Sequence, residues 1–123
     1  MKNTFLVTLI CLSLSCEEQQ QTKETGNYIV ETTVQLQPGK IHEVLELFKV
    51  TNPELVRKQS DWVSASFSKL EEKDIVFVRA EWKNKASYLK FAQSEKFKKA
   101  MGQFNPYCIE KPKVTITKVL FEM

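Results

Sequence analysis

The stretch from Trp82 to Phe104, WKNKASYLKFAQSEKFKKAMGQF, leaves the chain few ways to fold. A tryptophan closes an apolar run, and the pattern then changes to helical spacing. Asn84 and Ser94 stand where the N-caps of two successive short helices belong, because a side-chain oxygen there satisfies a free amide of the first turn. In the second helix Phe97, Ala100, Met101 and Phe104 recur at i, i+3, i+4 and i+7, which places them on one face. In the first, Leu89 and Ala92 form a weaker stripe with Tyr88 and Phe91 along its edge. The interleaved Lys85, Lys90, Lys96, Lys98 and Lys99 belong to the solvent side. No metal cluster, catalytic triad or phosphate loop stands in this stretch.

The segments around it alternate instead. In Asn27–Gln37, Tyr28, Val30, Thr32, Val34 and Leu36 point one way and Ile29, Glu31, Thr33 and Gln35 the other, the mark of a strand with one buried face. Pro38-Gly39 ends it. A helix from Lys40 places Ile41, Val44, Leu45 and Phe48 on one face. It is expected to break at Asn52-Pro53, since a residue before proline is driven out of the helical region, with a short resumption to Arg57. Asp61–Leu70 alternates again, with Val63, Ala65 and Phe67 inward and Ser64, Ser66 and Ser68 outward. Glu71-Glu72-Lys73-Asp74 reads as a hairpin turn. Ile75–Trp82 follows with Val76, Val78, Ala80 and Trp82 on its apolar face, and Lys113–Phe121 is the last strand. The order β-α-β-β-α-α-β predicts an α+β, ferredoxin-like antiparallel sheet with helices on one face. Ile29 and Phe77 leave the second sheet face half apolar, which predicts a homodimer joined sheet to sheet.

A chain of 123 residues is long enough for one domain and too short for two. The net charge of +3 is spread, with Lys among Glu and Asp, so there is no basic stripe of the kind that binds nucleic acid. Three glycines leave no room for a nucleotide-binding loop. Residues 1–15 read as an export signal: Lys2 supplies positive charge, and Phe5–Leu12 is an apolar core of signal length, well short of the ~20 residues of a membrane span. Small residues, Cys16 and the polar tract EEQQQTKETG follow. This resembles a bacterial lipoprotein signal with Cys16 lipidated, although Ser13 occupies the usual leucine position. Ser13 and Ser15 also suit an ordinary signal peptidase cutting before Cys16. Both readings export the chain, an uncleaved or cytosolic chain being the remaining alternative; a lipidated Cys16 would fix it to a membrane of the cell envelope, on the periplasmic or surface side. A tether over 16–26 then precedes a domain over 27–123. Cys11 leaves with the signal, so Cys108 stands alone and neither an intrachain disulfide nor a cysteine-rich metal site is available.

From about residue 27 to 121 the chain resembles the antibiotic biosynthesis monooxygenase (ABM) domain of the dimeric α+β barrel superfamily. The residues that carry this are Pro38-Gly39, Asn52-Pro53, Asp61-Trp62-Val63 and, above all, Trp82-Lys83-Asn84-Lys85 followed by Ser94-Glu95-Lys96-Phe97. The family includes cofactor-independent oxygenases of quinols and polyphenols, and haem-degrading members. At the places of the haem-degrading residues this chain has Thr32, Phe91 and Met101, with no histidine ligand. The resemblance therefore implies no cofactor and no metal, and puts these three residues in an apolar substrate pocket for a small hydrophobic or aromatic molecule. The implied oxygenase mechanism forms a substrate anion that reacts directly with O₂. His42 and Tyr88 are the candidate catalytic groups. A non-catalytic ligand-binding or stress-response dimer on the same scaffold is the alternative, because one fold hosts many activities.

Overall fold

Backbone hydrogen bonding settles the architecture in the computed structural model, which describes residues 26–123. The export signal and Cys16 lie outside the described residues. The elements run β1 (Tyr28–Gln35), α1 (Ile41–Val56), β2 (Trp62–Lys69), β3 (Ile75–Trp82), α2 (Lys85–Ala92), α3 (Glu95–Gly102), a 3₁₀ turn (Asn105–Tyr107) and β4 (Lys113–Lys118). The sheet order is β2-β3-β1-β4, with every neighbouring pair antiparallel. This is the ferredoxin-like α+β arrangement. Residues 27–118 form one unit; Val119–Met123, outside it, carries no regular structure.

Local chemistry explains most element ends. Lys40 donates its backbone N–H to the Gln37 carbonyl at 3.3 Å, closing a turn in which Gly39 takes φ +76°, a conformation that costs glycine little. The Asn84 side chain accepts from the Ser87 N–H and the Ser94 hydroxyl from the Phe97 N–H, each at 3.2 Å. These two caps start α2 and α3 where the sequence places them.

Four expectations are corrected. First, α1 does not break at Pro53; it continues to Val56, where Arg57 N–H bonds the Pro53 carbonyl at 3.0 Å. Proline inside a helix costs about 3 kcal/mol. The turn beyond it delivers Leu55 and the buried Val56 to the core, and side chains of this size contribute about 1.5–3 kcal/mol each when fully buried. Second, β2 holds a bulge between Trp62 and Ser64: Trp62 faces Trp82, while Ser64 faces Glu81. The extra residue, Val63, is 40% exposed, and Trp62 takes its place on the inner face. Third, α2 buries Phe91 with Tyr88 beside it, while Leu89 is exposed, because Trp82 offers an aromatic surface. Its indole lies 5.7 Å from the Tyr88 ring and 5.1 Å from that of Phe91. Fourth, β4 stops at Lys118, opposite the first residue of β1, so the ladder offers no further partner. At the other end β1 stops at Gln35, and Leu36 makes an isolated bridge to Cys108.

Two clusters form the core on the helix-covered face. Val30, Val56, Trp82 and Phe91 make one; Leu36, Val44 and Val76 make the other.

Candidate functional site

The space between these clusters is not filled. The centre of the sheet carries side chains too short to reach the helices: Ala65 on β2 sits opposite Ala80 on β3, and Thr32 on β1 opposite Val78. Longer side chains stand around them, Trp62, Phe67 and Trp82 from the sheet and Phe48, Phe91 and Phe97 from the helices. The result is a cavity of about 350 Å³ between the inner sheet face and the three helices. That is within the size of small-molecule sites, and the apolar lining suits an aromatic guest.

One wall is made by the segment after α3. Gln37 N–H bonds the Tyr107 carbonyl and Ile109 N–H the Gln35 carbonyl, both at 2.8 Å. This strap to the end of β1 holds Asn105 and Cys108 against the cavity, with Lys111 beyond them on an exposed stretch. The opposite end is set by the chain leading into β2. Lys83 N–H bonds the Asp61 carbonyl at 2.7 Å, and the Ser87 hydroxyl donates to the Asp61 carboxylate, tying the start of β2 to α2. Trp62 follows directly.

Polar groups in the lining are few and mostly neutral. They include the hydroxyls of Thr32 and Tyr88, the amides of Asn52 and Asn105, the Cys108 thiol and the Trp62 indole. Burial pushes the Tyr88 phenol above the usual tyrosine range, so near neutrality it is a hydrogen-bond donor and not a base. Burial likewise pushes up the Cys108 thiol, which donates to the Phe104 carbonyl at 3.4 Å and stays protonated. Lys111 is the one charged residue of the lining; among the described residues no carboxylate or imidazole contributes to it. No group of three or more potential metal ligands occurs among them either. The Trp62 Nε1–H is buried and has no acceptor among the described residues.

Of the residues singled out in the sequence, Thr32, Tyr88, Phe91 and Met101 are brought together around this cavity. His42 is exposed on α1 and is not part of its wall. Arg79 is exposed on the outer sheet face, and Glu81 there accepts from the Asn27 side chain at 2.7 Å. Sequence reasoning missed Trp62, because simple alternation turns it outward. It also missed Asn52, because the following proline reads as a helix end. Cys108 stands alone in the sequence with no sign of a site; only the strap onto β1 brings it to the wall.

The comparisons with known proteins bear on the fold. No curated protein matches the chain. Among solved structures, a conserved protein from Methanosarcina mazei Go1 is 21% identical with a TM-score of 0.68, over 76% of this chain and 93% of that one. Rv0793 from Mycobacterium tuberculosis is 11% identical with a TM-score of 0.67, over 78% and 97%. A variant of SnoaB, a cofactor-independent oxygenase from Streptomyces nogalater, is 11% identical with a TM-score of 0.65, over 76% and 92%. At these identities the likeness establishes the fold. Residues 27–103, well over half of the chain, match the antibiotic biosynthesis monooxygenase family, and the chain belongs to that family.

Proposed function

We propose that this protein is a cofactor-independent monooxygenase acting on a small aromatic or quinol-like substrate bound in the cavity. The observation that carries the reading is an apolar space of about 350 Å³ whose interior donors are protonated and neutral. Such a lining favours a flat ring with few oxygens. A catalytic base is absent from the described wall, so the substrate supplies its own acidity and ionises to an aryloxide with Lys111 as the adjacent cation. The aryloxide donates electrons to O₂. One oxygen atom becomes a new ring carbonyl and the other leaves as water, carrying the protons of the former hydroxyl and ring C–H. Membership of the family and the fold shared with a cofactor-independent oxygenase support this reading.

The same lining favours one alternative, a ligand-binding module without turnover, since neither carboxylate nor imidazole is at hand. Oxygen uptake with a panel of hydroquinones and phenols, measured beside calorimetric binding of the same compounds, separates the two. Binding with uptake, unaffected by His42→Ala and weakened by Tyr88→Phe, fits the oxygenase; binding with no uptake leaves the module. No binding at all removes the cavity from consideration.

The partners and location belong to the same proposal. The outer face around Phe77 joins a second copy, and Cys16 carries a lipid that holds the dimer at the cell envelope. Cys16→Ser then moves the protein from the membrane fraction to the soluble one; unchanged fractionation speaks against the anchor.

A further inference from the structure

The mixture of lysines and acids that holds for the chain as a whole ends at Trp82. From Asn27 to Trp82 nine acidic residues stand against seven basic ones; from Lys83 to Phe104 there are six lysines and a single acid, Glu95. All six lysines are exposed. The ion pairs among the described residues are Lys40–Glu43 and Lys49–Glu46, at the start and middle of α1, so no carboxylate pairs with the six. Asp61, which shares a cleft with Lys90, is half-buried and accepts from the Ser87 hydroxyl. Folding then collects this charge on one side. The two helices turn Phe91, Phe97 and Ala100 inward, and what remains outside is Lys85, Leu89 and Lys90 on α2 with Lys96, Lys98 and Lys99 on α3. Leu89 is 40% exposed, an aliphatic side chain standing among cations.

We infer that the outward face of α2 and α3 docks on an anionic phospholipid surface, with its lysines over the headgroups and Leu89 entering the interface between them. Unpaired lysines near an anionic bilayer gain attraction from its surface potential, and their long stems let the charge stay in water while an apolar neighbour goes deeper. Nucleic acid fits this face less well. It exposes no aromatic ring and no arginine, the groups that stack on bases. The face is turned away from the sheet, so the proposed sheet-to-sheet contact leaves it open. It does not depend on the lipid proposed at Cys16. Where that lipid is present, the chain is held at the bilayer by its tether, and this face decides how the domain lies on it.

Vesicle co-sedimentation tests this with residues 16–123 carrying Cys16→Ser, which keeps the unit 27–118 whole and removes both signal and lipid. The protein is expected to sediment with vesicles of phosphatidylglycerol and phosphatidylcholine in equal parts, to stay in solution with phosphatidylcholine alone, and to be released by high salt. Two double variants remove the same charge from different places. Lys90→Gln with Lys99→Gln is expected to weaken partitioning about 30-fold, and Lys69→Gln with Lys73→Gln, at the β2–β3 hairpin, by about twofold or less. All four side chains are exposed, so both doubles should melt near the parent temperature. Equal sedimentation with the two kinds of vesicle, or an equal loss in the two doubles, overturns the inference. So does binding of a DNA duplex as tight as that of the anionic vesicles and lost in the same double, which would make the face a general polyanion surface. None of these results touches the cavity or the Cys16 lipid, which are tested separately.

Discussion

The two faces of this sheet are built from the same four strands and do opposite things. On the inner face Val30, Val76 and Trp82 are each no more than 3% exposed, yet the neighbouring Ala65 and Ala80 leave a space unfilled. On the outer face Ser64, Ser66 and Ser68 line one edge strand and Phe77 is half-buried among polar neighbours, whereas Ile29, expected there as exposed apolar surface, is only 9% exposed within one chain. The lesson concerns side-chain length. Alternation decides which face a residue joins, but a run of small residues on the covered face makes a lined cavity in place of a solid core.

The comparison breaks most severely at Trp82, which is 1% exposed and touches both aromatics of α2. Trp82→Ala is expected to cost about 3–5 kcal/mol in urea unfolding. A loss below ~1 kcal/mol would mean that the inner face does not hold the fold. Next comes Ala65→Phe, which puts a ring into the space. In a solid core it would cost about 1–3 kcal/mol; over a cavity it is expected to leave stability within ~1 kcal/mol of the wild type and abolish calorimetric ligand binding.

The outer face is tested by Phe77→Asp in the full-length Cys16→Ser background. Sedimentation is expected to show the mass fall from dimer to monomer, with the circular dichroism spectrum retained. An unchanged mass would remove Phe77 from the interface.

The smallest effect is a pH dependence. Tyr88 binds its proton more tightly folded than unfolded, so from the ordinary tyrosine range up to its raised value the unfolded chain releases the proton first. Stability therefore falls as pH rises through that window. Tyr88→Phe should flatten this part of the alkaline melting profile, and an identical slope in both proteins would mean that Tyr88 ionises freely in the fold.

Much of the site was legible because its residues obey local rules. Thr32 is inward by strict alternation on β1, and Met101 by helical spacing on α3 behind the Ser94 cap. What was hidden depends on partners distant in sequence. The inward turn of Trp62 exists only against β3, and the helical course of Asn52-Pro53 is held by Val56 packing on Val30, Trp82 and Phe91. The choice of Tyr88 and Phe91 over Leu89 as the buried face of α2 follows from the indole it meets. Cys108 reaches the wall because Leu36 bridges to it across more than half of the domain's length.

The order of elements, their types and the two helix caps were determined by the amino-acid sequence alone, since period, proline, glycine and capping chemistry act over a few residues. Tertiary structure decided that a cavity exists and which polar groups face it. Volume and unpaired donors are properties of how elements meet, and no local pattern encodes the gap left where two alanines happen to stand opposite each other.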